Sequence, residues 1–215
     1  MSTARVDTDP VRISGPAGEI EAAIDRTRDS AAEFICVVCH PHPLQQGTMQ
    51  NKVVTTLSRT AARLGGHSLR FNYRGVGNSH GSYDGERGEL EDALAAIAHL
   101  RTDPHYSTVP LVIAGFSFGG AIAYRAALEA DHAALVTVAP AWERIPGNAF
   151  DRELRWLLVH GDADEIIPAA GVLQWAQMHA RPPQVARFES TGHFFHGRLP
   201  GLAESVSAYL QEALF

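Results

Sequence analysis

The 215-residue sequence predicts one α/β domain, built on a mostly parallel sheet with helices on both faces. From residue 34 onward, apolar runs of strand length alternate with longer stretches of helical period. The strand runs, such as FICVVC and LVIA, are almost continuously apolar, as is typical of strands buried on both faces. No internal repeat, low-complexity tract or linker divides the sequence. We therefore expect a single domain over residues 1–215.

The elements follow in order from the amino end. VRISG and EIEAAID alternate apolar and polar side chains around the turn GPAG, which predicts an opening antiparallel hairpin. Strands are then predicted at residues 34–39, 68–71, 111–114, 134–138, 154–159 and 184–188, and helices at residues 48–64, 89–100, 118–130, 170–179 and 201–214. The irregular stretch 139–152 contains Pro140, Pro146 and Gly147 and is too short for a large additional domain, so we expect at most a small lid.

Composition and charge restrict the class of partner. Charged residues make up 20% of the chain, its formal net charge is -6 and it has no Lys/Arg run, so we expect neither nucleic acid nor an anionic membrane surface as a partner. No apolar stretch reaches the roughly 18 residues that a membrane span needs, and the first residues do not read as a secretory signal. We expect a soluble, cytoplasmic protein whose oligomeric state the sequence does not indicate.

Two short motifs resemble cofactor sites but have simpler interpretations. Cys36 and Cys39 lie inside the strand FICVVC, where an offset of three residues points them to opposite faces, so we predict core packing rather than a redox pair. The segment RGVGNSHG has neither GxGxxG nor GxxxxGKS spacing, so no nucleotide cofactor is expected. We predict instead a tight loop beside the active site, anchored by hydrogen bonds from Arg74.

The string AGFSFGG places Ser117 in a GxSxG motif, directly after the strand LVIA and directly before the helical stretch AIAYRAALEA. This context predicts a strained strand-to-helix turn in which Gly115 and Gly119 remove side chains that would clash. The turn exposes the serine hydroxyl at the carboxyl edge of the sheet, where the backbone N–H of Phe118 can stabilise an oxyanion. Ser117 is therefore the candidate nucleophile, and a simple helix N-cap is the alternative.

A serine hydroxyl is a weak nucleophile and needs a base that an acid orients. In HGDADEIIP, Asp164 lies far enough beyond a strand end to turn back toward a histidine, with Asp162 as the rival acid. The candidate base is His193 in STGHFFHG, because Gly192 frees the backbone before it. His196 is the rival base, but it follows two aromatic residues that we expect to pack against the body of the protein.

The segments HPHPLQQGTMQNKVV, FNYRGVGNSHGSYD, GFSFGG, HGDADEIIP and GHFFHG together make the chain similar to the α/β-hydrolase superfamily over nearly its whole length. Within it, the chain resembles small bacterial carboxylesterases related to dienelactone hydrolases. The resemblance implies a lidless or nearly lidless esterase with a triad at positions 117, 164 and 193. It departs from dienelactone hydrolases proper in the nucleophile, which is cysteine there and serine here.

The resemblance also places HPHP where this superfamily often has a turn that lines the oxyanion hole. Pro41 and Pro43 have no N–H, so the second oxyanion donor is the backbone of His42 or Leu44, a choice that the residues leave open. We expect the side chains of His40 and His42 to pack and hold the loop. The HxH spacing alone is weak evidence for a metal, and none is predicted.

From these residues we predict a serine hydrolase that cleaves small or short-chain carboxylic esters through an acyl-enzyme intermediate, without a cofactor. Two alternatives stay open. One is thioesterase or peptidase chemistry on the same triad, and the other is a hydrolase-like binding module without chemistry.

Overall fold

The structure is a computed structural model that describes residues 5–27, 31–145 and 155–215. Within these ranges the strands are β1 Val6–Gly15, β2 Gly18–Thr27, β3 Phe34–Cys39, β4 Gly66–Phe71, β5 Leu111–Phe116, β6 Ala134–Val138, β7 Trp156–Gly161 and β8 Gln184–Phe188. The α-helices are α1 Lys52–Arg63, α2 Arg87–Thr102, α3 Phe118–Glu129, α4 Ala169–Gln177 and α5 Leu199–Leu214. No helix of the described ranges has the length and apolar character to cross a membrane.

The strands form one sheet in the order β1-β2-β4-β3-β5-β6-β7-β8. β1 and β2 pair as the predicted antiparallel hairpin, and β2 pairs antiparallel with β4. Every pair from β4 through β8 is parallel. All the parallel strands therefore end at one edge of the sheet, and the loops that carry the candidate site residues leave from that edge. The prediction of a mostly parallel sheet is confirmed.

The sheet separates two hydrophobic clusters. One packs α2, α3 and α4 against one face, and the other packs α1 and α5 against the opposite face. The two faces alternate along β3, so that Cys39 belongs to the first cluster and Cys36 to the second. Both thiols are free and buried, and burial raises the pKa of each to about 12. The prediction that these cysteines pack on opposite faces is confirmed.

Local hydrogen bonds explain where two helices begin. α1 starts four residues later than predicted, because the Asn51 side chain accepts the N–H of Val53 at 2.9 Å and caps the helix there. α2 starts two residues earlier than predicted, because a capping box joins Glu86 and Glu89, with the Glu86 N–H donating to Glu89 Oε2 at 2.7 Å. Capping contacts of this kind shift helix ends without moving the helix.

The connection predicted over residues 139–152 is described only in part. Its first residues contain a single 3-10 turn at Trp142–Arg144, which lies beside the amino end of α3. Residues 146–154, which include Pro146, Gly147 and the predicted start of the next strand, lie outside the described residues. β7 is described from Trp156 to Gly161.

The loop after β4 is anchored as predicted and also packs on the opening hairpin. The Arg74 guanidinium donates to both carboxylate oxygens of Asp92 on α2, at 2.8 to 3.2 Å. The loop then packs on the β1–β2 hairpin, where the His80 N–H donates to the Glu19 carbonyl at 2.8 Å and the Asn78 N–H to a carboxylate oxygen of Glu21 at 2.9 Å. The tyrosines on either side of this loop lie near the candidate site, because the Tyr73 ring is 5.8 Å from that of Phe118 and the Tyr83 ring is 5.1 Å from that of His42.

Candidate active site

Ser117 is the single residue between the end of β5 and the start of α3. Its φ of 56° and ψ of -119° lie in a region that a non-glycine residue rarely adopts, at a cost of about 1–3 kcal/mol. Neighbouring backbone holds it there: the Ser117 N–H donates to the Val138 carbonyl at 2.9 Å, and the Ser117 carbonyl accepts the N–H of Ala141 at 3.0 Å. The prediction of a strained strand-to-helix turn is confirmed.

The two glycines of the motif permit close backbone contacts. A Cβ on Gly115 would lie 2.0 Å from the Gly119 carbonyl oxygen. A Cβ on Gly119 would lie 2.3 Å from the Cys39 carbonyl oxygen and 2.4 Å from that of His40. These glycines therefore allow the amino end of α3 to pack directly on the carboxyl end of β3, which brings the loop after β3 next to Ser117.

The structure brings Ser117, His193 and Asp164 into one hydrogen-bonded row. His193 Nε2 lies 3.0 Å from Ser117 Oγ, and His193 Nδ1 lies 2.8 Å from Asp164 Oδ2. A carboxylate only accepts hydrogen bonds, so Nδ1 carries the proton and Nε2 is free to accept one from the serine hydroxyl. The histidine ring packs against Phe116 and Phe194, with ring centroids 5.0 and 5.2 Å away.

Asp164 is buried and strongly hydrogen-bonded. Its Oδ1 accepts the N–H groups of Ile166 at 2.9 Å and Ile167 at 2.8 Å. Burial by itself raises the pKa of a carboxyl group, but the hydrogen bonds from His193 and from the two backbone N–H groups outweigh it, and the pKa of Asp164 lies below its usual value. The carboxylate is therefore ionised near neutral pH and fixed toward His193.

The rival acid, Asp162, lies apart from the imidazole row. Its side chain is exposed, and its Oδ1 accepts the N–H of Ser190 at 2.7 Å. This bond ties the loop after β7 to the loop after β8, which carries His193. The structure thus gives Asp162 a contact that supports the loop.

The rival base, His196, is exposed and stacks on Phe194, with ring centroids 5.9 Å apart. Of the two aromatic residues before it, Phe195 is buried in the core with a φ of 53°. Phe194 is 43% exposed. The expectation that the aromatics pack against the body of the protein is confirmed for Phe195, while the half-exposed Phe194 contacts the rings of Phe116 and His193.

The second oxyanion donor, besides the N–H of Phe118, was predicted to be the backbone N–H of His42 or Leu44. His42 lines the cavity at Ser117, and its ring packs on that of Phe118 with centroids 4.8 Å apart. The Leu44 N–H instead donates to His42 Nδ1 at 3.2 Å, and Leu44 is 71% exposed. The Leu44 N–H is therefore occupied by a contact that shapes the loop.

His40 holds the same loop from inside. Its Nδ1 donates to the Pro41 carbonyl at 2.6 Å, and its Nε2 accepts the Tyr73 N–H at 3.1 Å. Burial lowers the pKa of His40 to about 3, so the ring is neutral. The expected packing role of this side chain is confirmed. Across the described ranges, no group of three or more His, Cys, Asp or Glu side chains is arranged to hold a metal ion.

Ser117 opens into a cavity of about 190 Å³. Its lining is mixed. The apolar lining residues are Phe118, Ala141, Trp142, Ile166, Ile167 and Pro168, and the polar ones besides Ser117 are His42, Gln45, Glu143 and Arg144. The cavity is smaller than the roughly 300–1,000 Å³ of sites for drug-sized ligands.

Sequence reasoning did not find the cavity wall. Trp142, Glu143 and Arg144 follow β6, and Ile166 and Ile167 follow β7, so both groups sit at the carboxyl edge that the parallel strands share. Their place after these strands was the available signal, because loops at this edge converge on the ligand site of an open α/β sheet.

Comparison with known proteins gives one family match. Residues 35–158 match the model of the family described as serine aminopeptidase, S33. This range covers more than half of the chain and contains Ser117, while the loops of Asp164 and His193 follow it.

Solved structures align over nearly the whole chain. An α/β serine hydrolase homologue from Coxiella burnetii is 37% identical, with a TM-score of 0.89, over 97% of this chain and 100% of that one. A structure from Xanthomonas campestris, described as an α/β serine hydrolase without lid, is 33% identical with a TM-score of 0.88 over 99% and 96%. Est1E from Butyrivibrio proteoclasticus, with ferulic acid bound, shares the fold at 18% identity, with a TM-score of 0.85 over 95% and 99%. These matches confirm the predicted α/β-hydrolase fold.

Proposed function

We propose that this chain, which belongs to the serine aminopeptidase S33 family of α/β serine hydrolases, cleaves small carboxylic esters through an acyl-enzyme intermediate. The observation that carries the proposal is the hydrogen-bonded row from Ser117 through His193 to Asp164, in which Ser117 also lines a cavity. The nucleophile, the base and the acid are aligned without any rearrangement, as the first step of acyl transfer requires.

In the proposed reaction, Ser117 Oγ attacks the acyl carbonyl carbon while its proton passes to His193 Nε2. Asp164 stabilises the imidazolium that forms. The tetrahedral intermediate collapses, the ester C–O bond breaks, and the alcohol leaves with the proton from His193. Water then attacks the acyl-enzyme and gives a proton to His193. The bond between the acyl carbon and Ser117 Oγ breaks, His193 returns the proton to Oγ, and the carboxylic acid is released.

The negative charge that develops on the substrate's carbonyl oxygen needs hydrogen-bond donors that point at that oxygen. We assign this role to the backbone N–H groups of Phe118 and His42. The Phe118 N–H lies at the amino end of α3, where the helix dipole favours negative charge. His42 is preferred to Leu44, because the Leu44 N–H already donates to the His42 ring.

The cavity favours a small substrate. Its volume of about 190 Å³ has room for a short acyl chain, for which Trp142, Ile166 and Ile167 supply apolar lining. A long chain would have to extend past the rim into solvent, where its burial would add little binding energy. We therefore expect kcat/KM to fall as the acyl chain of a chromogenic ester lengthens.

The second candidate is hydrolysis of aminoacyl amides. The family description favours it, and Glu143 places a carboxylate in the cavity wall that could pair with a free α-amino group. Arg144 lies next to it in the same wall and opposes that cation. Aminoacyl anilides assayed beside the ester series distinguish the two, because an aminopeptidase would prefer the anilides.

Turnover of chromogenic acyl esters, together with labelling by a fluorophosphonate probe, tests the proposal. Wild-type protein is expected to hydrolyse the short esters and to take up the probe, and Ser117→Ala to lose both. Ser82→Ala is the matched control, since Ser82 is exposed and lies outside the cavity wall. A wild-type protein that neither turns over any ester nor reacts with the probe would instead support a binding module.

A further inference from the structure

His160 is a buried histidine beside the site that the proposed reaction does not use. It is the second-to-last residue of β7 and is 1% exposed. Its Nε2 lies 2.9 Å from the Ile167 carbonyl oxygen and 3.6 Å from Asp164 Oδ2. Its Nδ1 is buried and has no hydrogen-bond partner among the described residues.

These contacts fix the tautomer of His160. The Ile167 carbonyl can only accept, so His160 Nε2 carries the proton and Nδ1 has none. A second proton on Nδ1 would be buried without an acceptor, at a cost of about 1–3 kcal/mol. Burial likewise lowers the pKa of this histidine. His160 is therefore a neutral ring with one N–H, pointed at the turn that holds the acid.

Both backbone groups of Ile167 are hydrogen-bonded to side chains. Its N–H donates to Asp164 Oδ1 at 2.8 Å, and its carbonyl accepts from His160 at 2.9 Å. If residue 167 moved, the N–H that holds Oδ1 would move with it, and the direction of the carboxylate would change. The Ile167 side chain lines the cavity, so the same peptide also sets part of the substrate wall.

We propose that His160 is a positioning residue for Asp164: by holding the Ile167 carbonyl, it fixes the turn that aims the carboxylate at His193. The distance of 3.6 Å to Asp164 Oδ2 is too long for a hydrogen bond, so His160 acts on the acid through Ile167. This inference rests on the proposed function, because it assigns His160 to the same reaction.

Kinetics of two substitutions test the role. His160→Phe keeps a ring but removes the donor, and it is expected to lower kcat about tenfold while KM changes less than about twofold. His160→Gln keeps an amide N–H at a similar reach and is expected to recover most of kcat. His179→Phe, which removes a buried histidine that packs against Tyr124 and Trp175, is the matched control. Full kcat in a folded His160→Phe, or equal damage in both His160 variants, would overturn the inference.

A double-mutant cycle separates positioning from general packing. In an Asp164→Asn background the carboxylate is already gone, so His160→Phe is expected to reduce the remaining rate less than about twofold. The same tenfold loss in both backgrounds would show that His160 acts without Asp164. If His160→Phe fails to fold, as circular dichroism would reveal, His160→Asn replaces it, because its shorter amide does not reach the Ile167 carbonyl.

The ring ¹⁵N chemical shifts of His193 give a readout that needs no turnover. Wild-type protein is expected to show the proton on Nδ1, Asp164→Asn to lose that tautomer, and His160→Phe to shift partly toward the other one. His160→Gln is expected to match wild type. If wild type hydrolysed no ester but its tautomer still responded to His160→Phe, the proposed function would fail and this inference would stand. A tautomer indifferent to His160→Phe would refute the inference alone.

Discussion

Asp164→Asn is expected to abolish most ester turnover while leaving the fold intact. The asparagine keeps one oxygen, which can still accept the N–H groups of Ile166 and Ile167, so the turn survives. The new NH₂ group would take the place of Oδ2, 2.8 Å from His193 Nδ1, where it donates rather than accepts. The histidine then adopts the tautomer with the proton on Nε2, the nitrogen that faces Ser117 Oγ at 3.0 Å.

The magnitude follows from that reversal. With a proton on Nε2, the base cannot accept one from the serine, and loss of the correct tautomer in serine hydrolases of this kind costs about 10⁴ in kcat, or about 5 kcal/mol. The substitution changes hydrogen bonds around residue 164 and none to the substrate, so KM is expected to change little. Initial rates on a short chromogenic ester measure both constants, and the melting temperature checks the fold.

Asp162→Asn is the matched control for this experiment. Asparagine can still accept the Ser190 N–H that Asp162 holds at 2.7 Å, so the loop of His193 stays tied and kcat is expected to fall less than about tenfold. If Asp162→Asn proved the more damaging change, or if Asp164→Asn kept a tenth or more of the wild-type kcat, the assignment of the acid would be wrong.

The remaining predictions concern the candidate base, the glycine beside the strand-to-helix turn, and the stability of the protein at acidic pH. The kcat/KM of wild type should rise with pH, because an imidazolium cannot accept the serine proton. His196→Ala should keep this rise, and His193→Ala should lose it together with nearly all activity. The reverse pattern would reassign the base. Gly119→Ala should abolish activity and lower the melting temperature, since its Cβ would lie 2.3 Å from a carbonyl oxygen of β3, while Gly201→Ala, 3.2 Å from its nearest neighbour, should not. Burial tends to raise the pKa of Asp25, but hydrogen bonds from a buried arginine and two hydroxyls lower it overall, so its stabilisation should be present above pH about 4 and lost as pH falls further. Urea unfolding of Asp25→Asn should show a lower stability at neutral pH, by about 3–5 kcal/mol, and a flatter acid limb; an unchanged acid limb would contradict this.

The sequence predicted the strands and the strand-to-helix turn at Ser117 accurately, because each depends on local residues. β3, β6 and β8 begin and end where the sequence predicted. β3 and β6 are buried along their whole length, so each appears in the sequence as a nearly continuous apolar run. The strain at Ser117 followed from two glycines beside a serine between a strand and a helix. Boundaries set by capping side chains, as at Asn51, were less accurate, because a cap depends on which rotamer reaches which N–H.

By itself, then, the sequence determined the α/β fold, the position of the candidate nucleophile and the order of the three candidate catalytic residues. Only the tertiary structure decided between Asp164 and Asp162 as the partner of His193, and it alone revealed the contact of His160 with Ile167. The physical reason is the sequence separation over which each effect acts. Chain periodicity and turn chemistry act over a few residues, whereas Ser117, Asp164 and His193 meet from three loops far apart in the chain, within hydrogen-bond distances that depend on how the strands of the sheet align.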